Sequence, residues 1–130
     1  MKRFERGGDP YRKLGVGKIA LIDKWINDLE ISLDRYTIDK DFNINVREYL
    51  YLGGTNITSL PDNLSVGENL DLRGTKITEL PNNLSVGRSL YLEGTKITEL
   101  PDNLNVGGKI WLNRKDKIYV PEHLKGKLIF

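Results

Sequence analysis

Residues 51–70, 71–90 and 91–110 are three copies of one 20-residue sequence. They read YLGGTNITSLPDNLSVGENL, DLRGTKITELPNNLSVGRSL and YLEGTKITELPDNLNVGGKI, and each neighbouring pair is identical at 13 of 20 positions. Ordinary composition gives about one match by chance. A unit this short cannot enclose its own apolar side chains, so the copies must stack, and the expected architecture is a solenoid. Residues 111–130 keep only Leu112, Pro121 and Leu124 identical to the preceding unit. Upstream, Ile44, Val46 and Leu50 fall in the columns of Leu64, Val66 and Leu70. Degenerate units flanking regular ones are what a stack needs in order to stop.

The apolar columns of the middle unit are Leu70, Leu72, Ile77, Leu80, Leu84 and Val86. Leu70 and Leu72 alternate with variable residues, the period-2 signal of a short strand. Gly74 ends that strand, and LPNNL favours a turn or a 3₁₀ piece. Residues 17–31 place Ile22, Trp25, Ile26 and Leu29 on one face at helical spacing, which predicts an amphipathic helix. Tyr36-Thr37-Ile38 and Phe42 to Val46 flank the polar turn Asp39-Lys40-Asp41, as in a hairpin. Phe130 falls in the column of Leu70, Leu90 and Ile110 when the period of 20 is continued. The expected organisation is a single domain over 1–130: a mobile N-terminus (1–16), a helix and hairpin cap (17–46), regular repeats (47–110) and a degenerate C-terminal capping repeat (111–130). Leu128-Ile129-Phe130 either closes the core as a last strand or forms an edge that pairs with a second chain in a homodimer.

The pattern Leu70-x-Leu72-x-x-Thr75-x-Ile77-x-x-Leu80-Pro81 recurs as Leu50 to Pro61 and Leu90 to Pro101. It resembles the leucine-rich repeat in its short, 20-residue bacterial form. The resemblance implies a mostly β fold with a little α: a right-handed solenoid with a parallel sheet. Two columns depart from the family. Thr55, Thr75 and Thr95 replace the asparagine that bonds backbone groups between coils, and Gly67 or Gly87 replaces the opening leucine. The segment YTIDKDFNINV, following a helix, is similar to the start of small LRR-like proteins encoded by bacteriophages. That implies a phage or bacterial origin, and host cytoplasm as the place of action.

Composition excludes several chemistries. Lys and Arg total 20 against 18 Asp and Glu, a net charge of +2. Coating of nucleic acid or an anionic membrane is not the expected task. With no cysteine and one histidine, disulfides, thiolate–zinc sites, histidine cages and cysteine nucleophiles are ruled out. No apolar run reaches the ~20 residues of a membrane span, and MKRFERGGDPYRK leads into no continuous apolar h-region, so a cytoplasmic protein is expected. The lone His123 replaces the asparagine of the turns, and Gly7-Gly8 and Gly15-x-Gly17 lack the strand context of a phosphate loop. No enzyme, cofactor or metal site is expected.

If Leu70 and Leu72 point inward, residues 69, 71 and 73 point outward, with the equivalent trios 49, 51, 53; 89, 91, 93; and 109, 111, 113. The central column then reads Tyr51, Asp71, Tyr91, Trp111. Aromatics and arginine are enriched where proteins bind one another. The candidate protein-binding residues are therefore Tyr49, Tyr51, Asp71, Arg73, Tyr91, Glu93, Trp111 and Asn113. A phage-like origin makes the expected use the blocking or redirection of a host protein, such as a defence component. Two alternatives are open. Basic residues cluster at Lys2, Arg3, Arg6, Arg12, Lys13 and Lys18 and at Arg114, Lys115, Lys117, Lys125 and Lys127, so the chain could be a nucleic-acid-binding accessory protein whose aromatics stack bases. Or it could act structurally, by self-association.

Overall fold

A computed structural model describes residues 35–113 and 117–130. The helix expected over 17–31, the N-terminal basic cluster, and Arg114 and Lys115 lie outside the described residues.

The described chain is a parallel β-solenoid of about four turns. Its strands are very short: β1 Tyr36–Ile38, β2 Ile44–Val46, β3 Leu50–Tyr51, β4 Leu64–Val66, β5 Leu70–Asp71, β6 Ser85–Val86, β7 Leu90–Tyr91, β8 Asn105–Val106, β9 Ile110–Trp111 and β10 Leu128–Ile129. They form two sheets rather than the one expected. The first has the order β1-β2-β4-β6-β8 and the second the order β10-β9-β7-β5-β3. Each regular coil thus has a strand in each sheet and an irregular third side between Gly74 and Pro81 or its equivalents. The first sheet runs through the Leu64–Val66 column, where the sequence showed only a turn and a connection.

The period of 20 sets the register. Ile44 faces Leu64 and Val46 faces Val66, while Leu50, Leu70, Leu90 and Ile110 stand in one line. The half-repeat upstream is therefore part of the stack. β1 pairs with β2 antiparallel, Tyr36 against Val46, which is the expected hairpin. Asp39 holds its turn by accepting bonds from the Asp41 N–H, the Asn43 N–H and the Asn43 side-chain amide. Those bonds, the Asn43 amide foremost, keep the Asp39 carboxyl below its ordinary range.

The core is a set of leucine and valine columns. Leu64, Leu70, Leu72, Ile77, Leu84, Leu90, Leu92 and Leu104 are fully buried. Each contributes about 1.5–3 kcal/mol relative to an exposed side chain. Backbone bonds tie coil to coil: Leu50 N–H to Asn69 O at 2.8 Å, Leu70 N–H to Ser89 O at 2.9 Å, and Leu90 N–H to Lys109 O at 2.9 Å. The Thr55, Thr75 and Thr95 hydroxyls donate to Leu52, Leu72 and Leu92 O at 2.7–2.8 Å. Their bonds stay within one coil. Side-chain ties between coils include Asn83 Nδ2 donating to Asn63 Oδ1 at 2.9 Å and the Ser89 N–H donating to Asn69 Oδ1 at 2.9 Å.

The C-terminal register differs from the expected one. Leu128, not Phe130, pairs with Ile110, so the last coil has 18 residues (128 − 110) instead of 20. A 3₁₀ helix over Glu122–Lys127 replaces the first-sheet strand. Gly126 stands where Val66, Val86 and Val106 stand in earlier coils, and it has no side chain to bury. The chain crosses directly from Leu124 to Leu128 without building that strand and its corner. Leu128 packs on the core, the closing role considered for this segment, while Phe130 is 57% exposed.

Candidate functional site

The outward residues of the second sheet form one continuous face. Alternation places Leu70, Leu90 and Ile110 inside, so the residue after each must stand on the other side. Neighbouring rungs of a parallel sheet lie about 4.8 Å apart, close enough for side chains in a column to touch. They do.

At the start of the face, the Tyr49 and Tyr51 rings stack with centroids 4.3 Å apart. The Arg35 guanidinium covers Tyr49 at 4.7 Å from its centroid and donates to the Tyr49 carbonyl. Tyr51 is 58% exposed. At the other end, Tyr91 and Trp111 stack at 5.9 Å with planes 8° apart. Both are half-buried. Their faces are partly taken by each other.

Between the two aromatic groups sits an ion pair. Asp71 Oδ1 accepts from Arg73 Nε at 2.9 Å and from the Arg73 N–H at 3.0 Å. Its Oδ2 accepts from Arg73 Nη2 at 2.6 Å. The guanidinium lies 5.1 Å from the Tyr91 centroid. Arg73, Tyr91 and Trp111 are thus one stacked column, fixed at its base by Asp71. Asp71 was expected to stand exposed; it is on the outward face but only 8% accessible, roofed by Arg73. The hydrogen bonds from Arg73 hold its carboxyl below the usual carboxylate range, and the same pairing raises the Arg73 guanidinium.

Glu93 stands next to Arg73 in the same column, on the adjoining rung, and is half-buried. Asn113, the last of the column, is exposed. All eight candidate residues are therefore on one side of the sheet. Gly53, the third member of the outward trio 49, 51, 53, belongs to the face as well. A Cβ there would stand 3.3 Å from Arg73 O and 3.4 Å from Asp71 Oδ1, so the Asp71–Arg73 pair packs directly against this glycine. Only knowledge of which rung lies beside Arg73 reveals this.

Elsewhere the chemistry is sparse. His123 is on the 3₁₀ helix, and its Nε2 lies 3.1 Å from Leu104 O. Among the described residues no group of three or more His, Cys, Asp or Glu could hold a metal ion. None of their helices is long and apolar enough to cross a membrane. A polar groove of about 360 Å³ runs along the first sheet past Asn45, Asn63, Ser65 and Asn83, and among the described residues its one charged lining group is the hydrogen-bonded Asp39. No protein-family model, curated protein or solved structure matches the chain.

Proposed function

We propose that this chain is a non-enzymatic protein-binding module of the short leucine-rich-repeat type, and that it binds through the outer face of the second sheet. The observation that carries the reading is the column Tyr51, Asp71, Tyr91, Trp111, with three large aromatics outside the core and a hydrogen-bonded arginine locked among them. Side chains already held in place lose little entropy on association. Twelve outward positions are fewer than the about 20–30 of a standard interface, so the flanking corners also contribute or the contact is small. In a phage or bacterial setting the module acts in the cytoplasm by blocking or redirecting a host protein, such as a defence component.

The test compares the wild type with Y91A/W111A. Proteins captured from a bacterial lysate by the wild type should be lost from the double variant, and kept by a control altered on the first sheet, Ser85→Ala. The double variant should melt within a few degrees of the wild type, because both rings lie outside the core. Equal capture by all three would defeat the proposal. Capture of DNA or RNA that falls steeply between about 50 and 200 mM salt would favour nucleic-acid binding instead.

A further inference from the structure

The binding face is electrostatically incomplete at one residue. Glu93 Oε1 is shielded from solvent and accepts no hydrogen bond. Carboxylate oxygens taken out of water are normally matched by donors. The cation beside it, Arg73, is already engaged, with Nε and Nη2 on Asp71 and its plane on Tyr91. No cation among the described residues makes an ion pair with Glu93. Asp71 and Glu93 both act on the one guanidinium of Arg73, so the three side chains carry one net negative charge in the middle of a face that is otherwise aromatic.

We propose that Glu93 anchors a cationic side chain, arginine or lysine, on an exposed strand or loop of the protein that this face binds. The inference rests on the protein-binding reading above and adds the chemistry of the partner. An incoming guanidinium or ammonium pairs with the Glu93 carboxylate from its solvent side and neutralises the surplus charge. Its aliphatic stem lies along the edges of Tyr91 and Trp111, and the exposed Asn113 amide beside them offers a second acceptor. Phosphate groups are disfavoured at the same place, because Glu93 and Asp71 both repel them.

The experiment uses the full ¹⁵N-labelled chain and three probes: the N-acetyl, N-methylamide derivatives of arginine, lysine and glutamate. The readout is the Trp111 indole N–H resonance, assigned with W111F. The cationic probes should shift it saturably, with a dissociation constant of order 10 mM, and the glutamate probe should not. Glu93→Gln keeps the shape of the side chain and removes its charge; it should weaken the arginine titration at least about tenfold while leaving resonances away from the face in place. The absence of a saturable shift, an equal response to glutamate, or an unchanged arginine titration in E93Q would each overturn the proposal. Should that happen while Y91A/W111A still loses its captured protein, the binding face stands and the basic partner does not.

Discussion

The stack should be most vulnerable at a residue with no side chain. A Cβ added at Gly87 would meet the Gly67 carbonyl, 2.1 Å from its oxygen and 2.8 Å from its carbon. Non-bonded heavy atoms rest at about 3.5 Å, so G87A requires the coils to part by roughly 1.4 Å at this corner. Two backbone bonds span it: Gly87 N–H to Val66 O at 2.8 Å and Arg88 N–H to Glu68 O at 3.1 Å. Stretched by that much, neither survives as a hydrogen bond. Their loss costs about 1 kcal/mol each, and strain from overpacking adds about 1–3 kcal/mol. G87A should therefore destabilise the chain by about 3–5 kcal/mol, a large share of the about 5–15 kcal/mol of a typical domain. Two other glycines separate space from conformation. A Cβ at Gly126 meets nothing within 4 Å, so G126A should stay within about 0.5 kcal/mol of wild type. Gly54 also has open space but a φ of +76°, so G54A should cost about 1–2 kcal/mol. Urea titrations followed by circular dichroism give all three values. If G87A and G126A unfold at the same urea concentration, the corners are not in the close contact described and the argument fails.

Other outcomes follow from single side chains. Asp71 has a lowered carboxyl pKa, so the stability it contributes is fully present above its ordinary value of 3.8 and is lost as pH falls through the lower folded value. D71N should flatten the acid limb of a melting-temperature profile, leaving the slope due to Asp39 and Glu122, which are lowered too; an acid limb of unchanged steepness would count against the pair. H123A removes the ring at Leu104 O and should cost about 0.5–1.5 kcal/mol, measured by urea titration; no change would mean that water serves that carbonyl equally well. Asn83 has a φ of 59° and donates to Asn63. N83A should therefore be less stable than N83G by about 1 kcal/mol, since only glycine adopts that backbone without strain, and the reverse order would refute it.

The apolar columns were legible because a strict period puts chemically equal residues on top of one another, and the hairpin was legible because alternation ran for several residues on each side of Asp39–Asp41. The first sheet was not. Its strands hold two or three residues, such as Ser85–Val86, too few for periodicity to speak. They exist as strands because neighbouring coils supply the hydrogen bonds, as Gly87 N–H does to Val66 O, and one unit read alone has no neighbour. The C-terminal register was missed for a related reason. Counting by 20 assumes a corner in every coil, and the segment Lys125-Gly126-Lys127 offers no apolar side chain to hold one.

The outward direction of the face was readable from Leu70 and Leu72, but its internal bonding was not. The Asp71–Arg73 clasp lies against Gly53, which is 20 residues distant from Arg73 in sequence and adjacent only after stacking. What the repeats do disclose is where the copies diverge. Residues 71–90 and 91–110 differ at seven positions (20 − 13). All three outward columns of the second sheet are among them: Asp71 against Tyr91, Arg73 against Glu93, Ser89 against Lys109. On the third side, Lys76 and Lys96, Thr78 and Thr98, and Glu79 and Glu99 are all exposed, yet each pair is identical. Exposure alone would let both surfaces drift. Stacking constrains neither, since none of these side chains enters the core. Between residues 51–70 and 71–90 the third side changes as well, Asn56 against Lys76 and Ser59 against Glu79, so the contrast belongs to the later pair of coils, the pair that carries the Arg73, Tyr91 and Trp111 column on which the proposed partner contact would act.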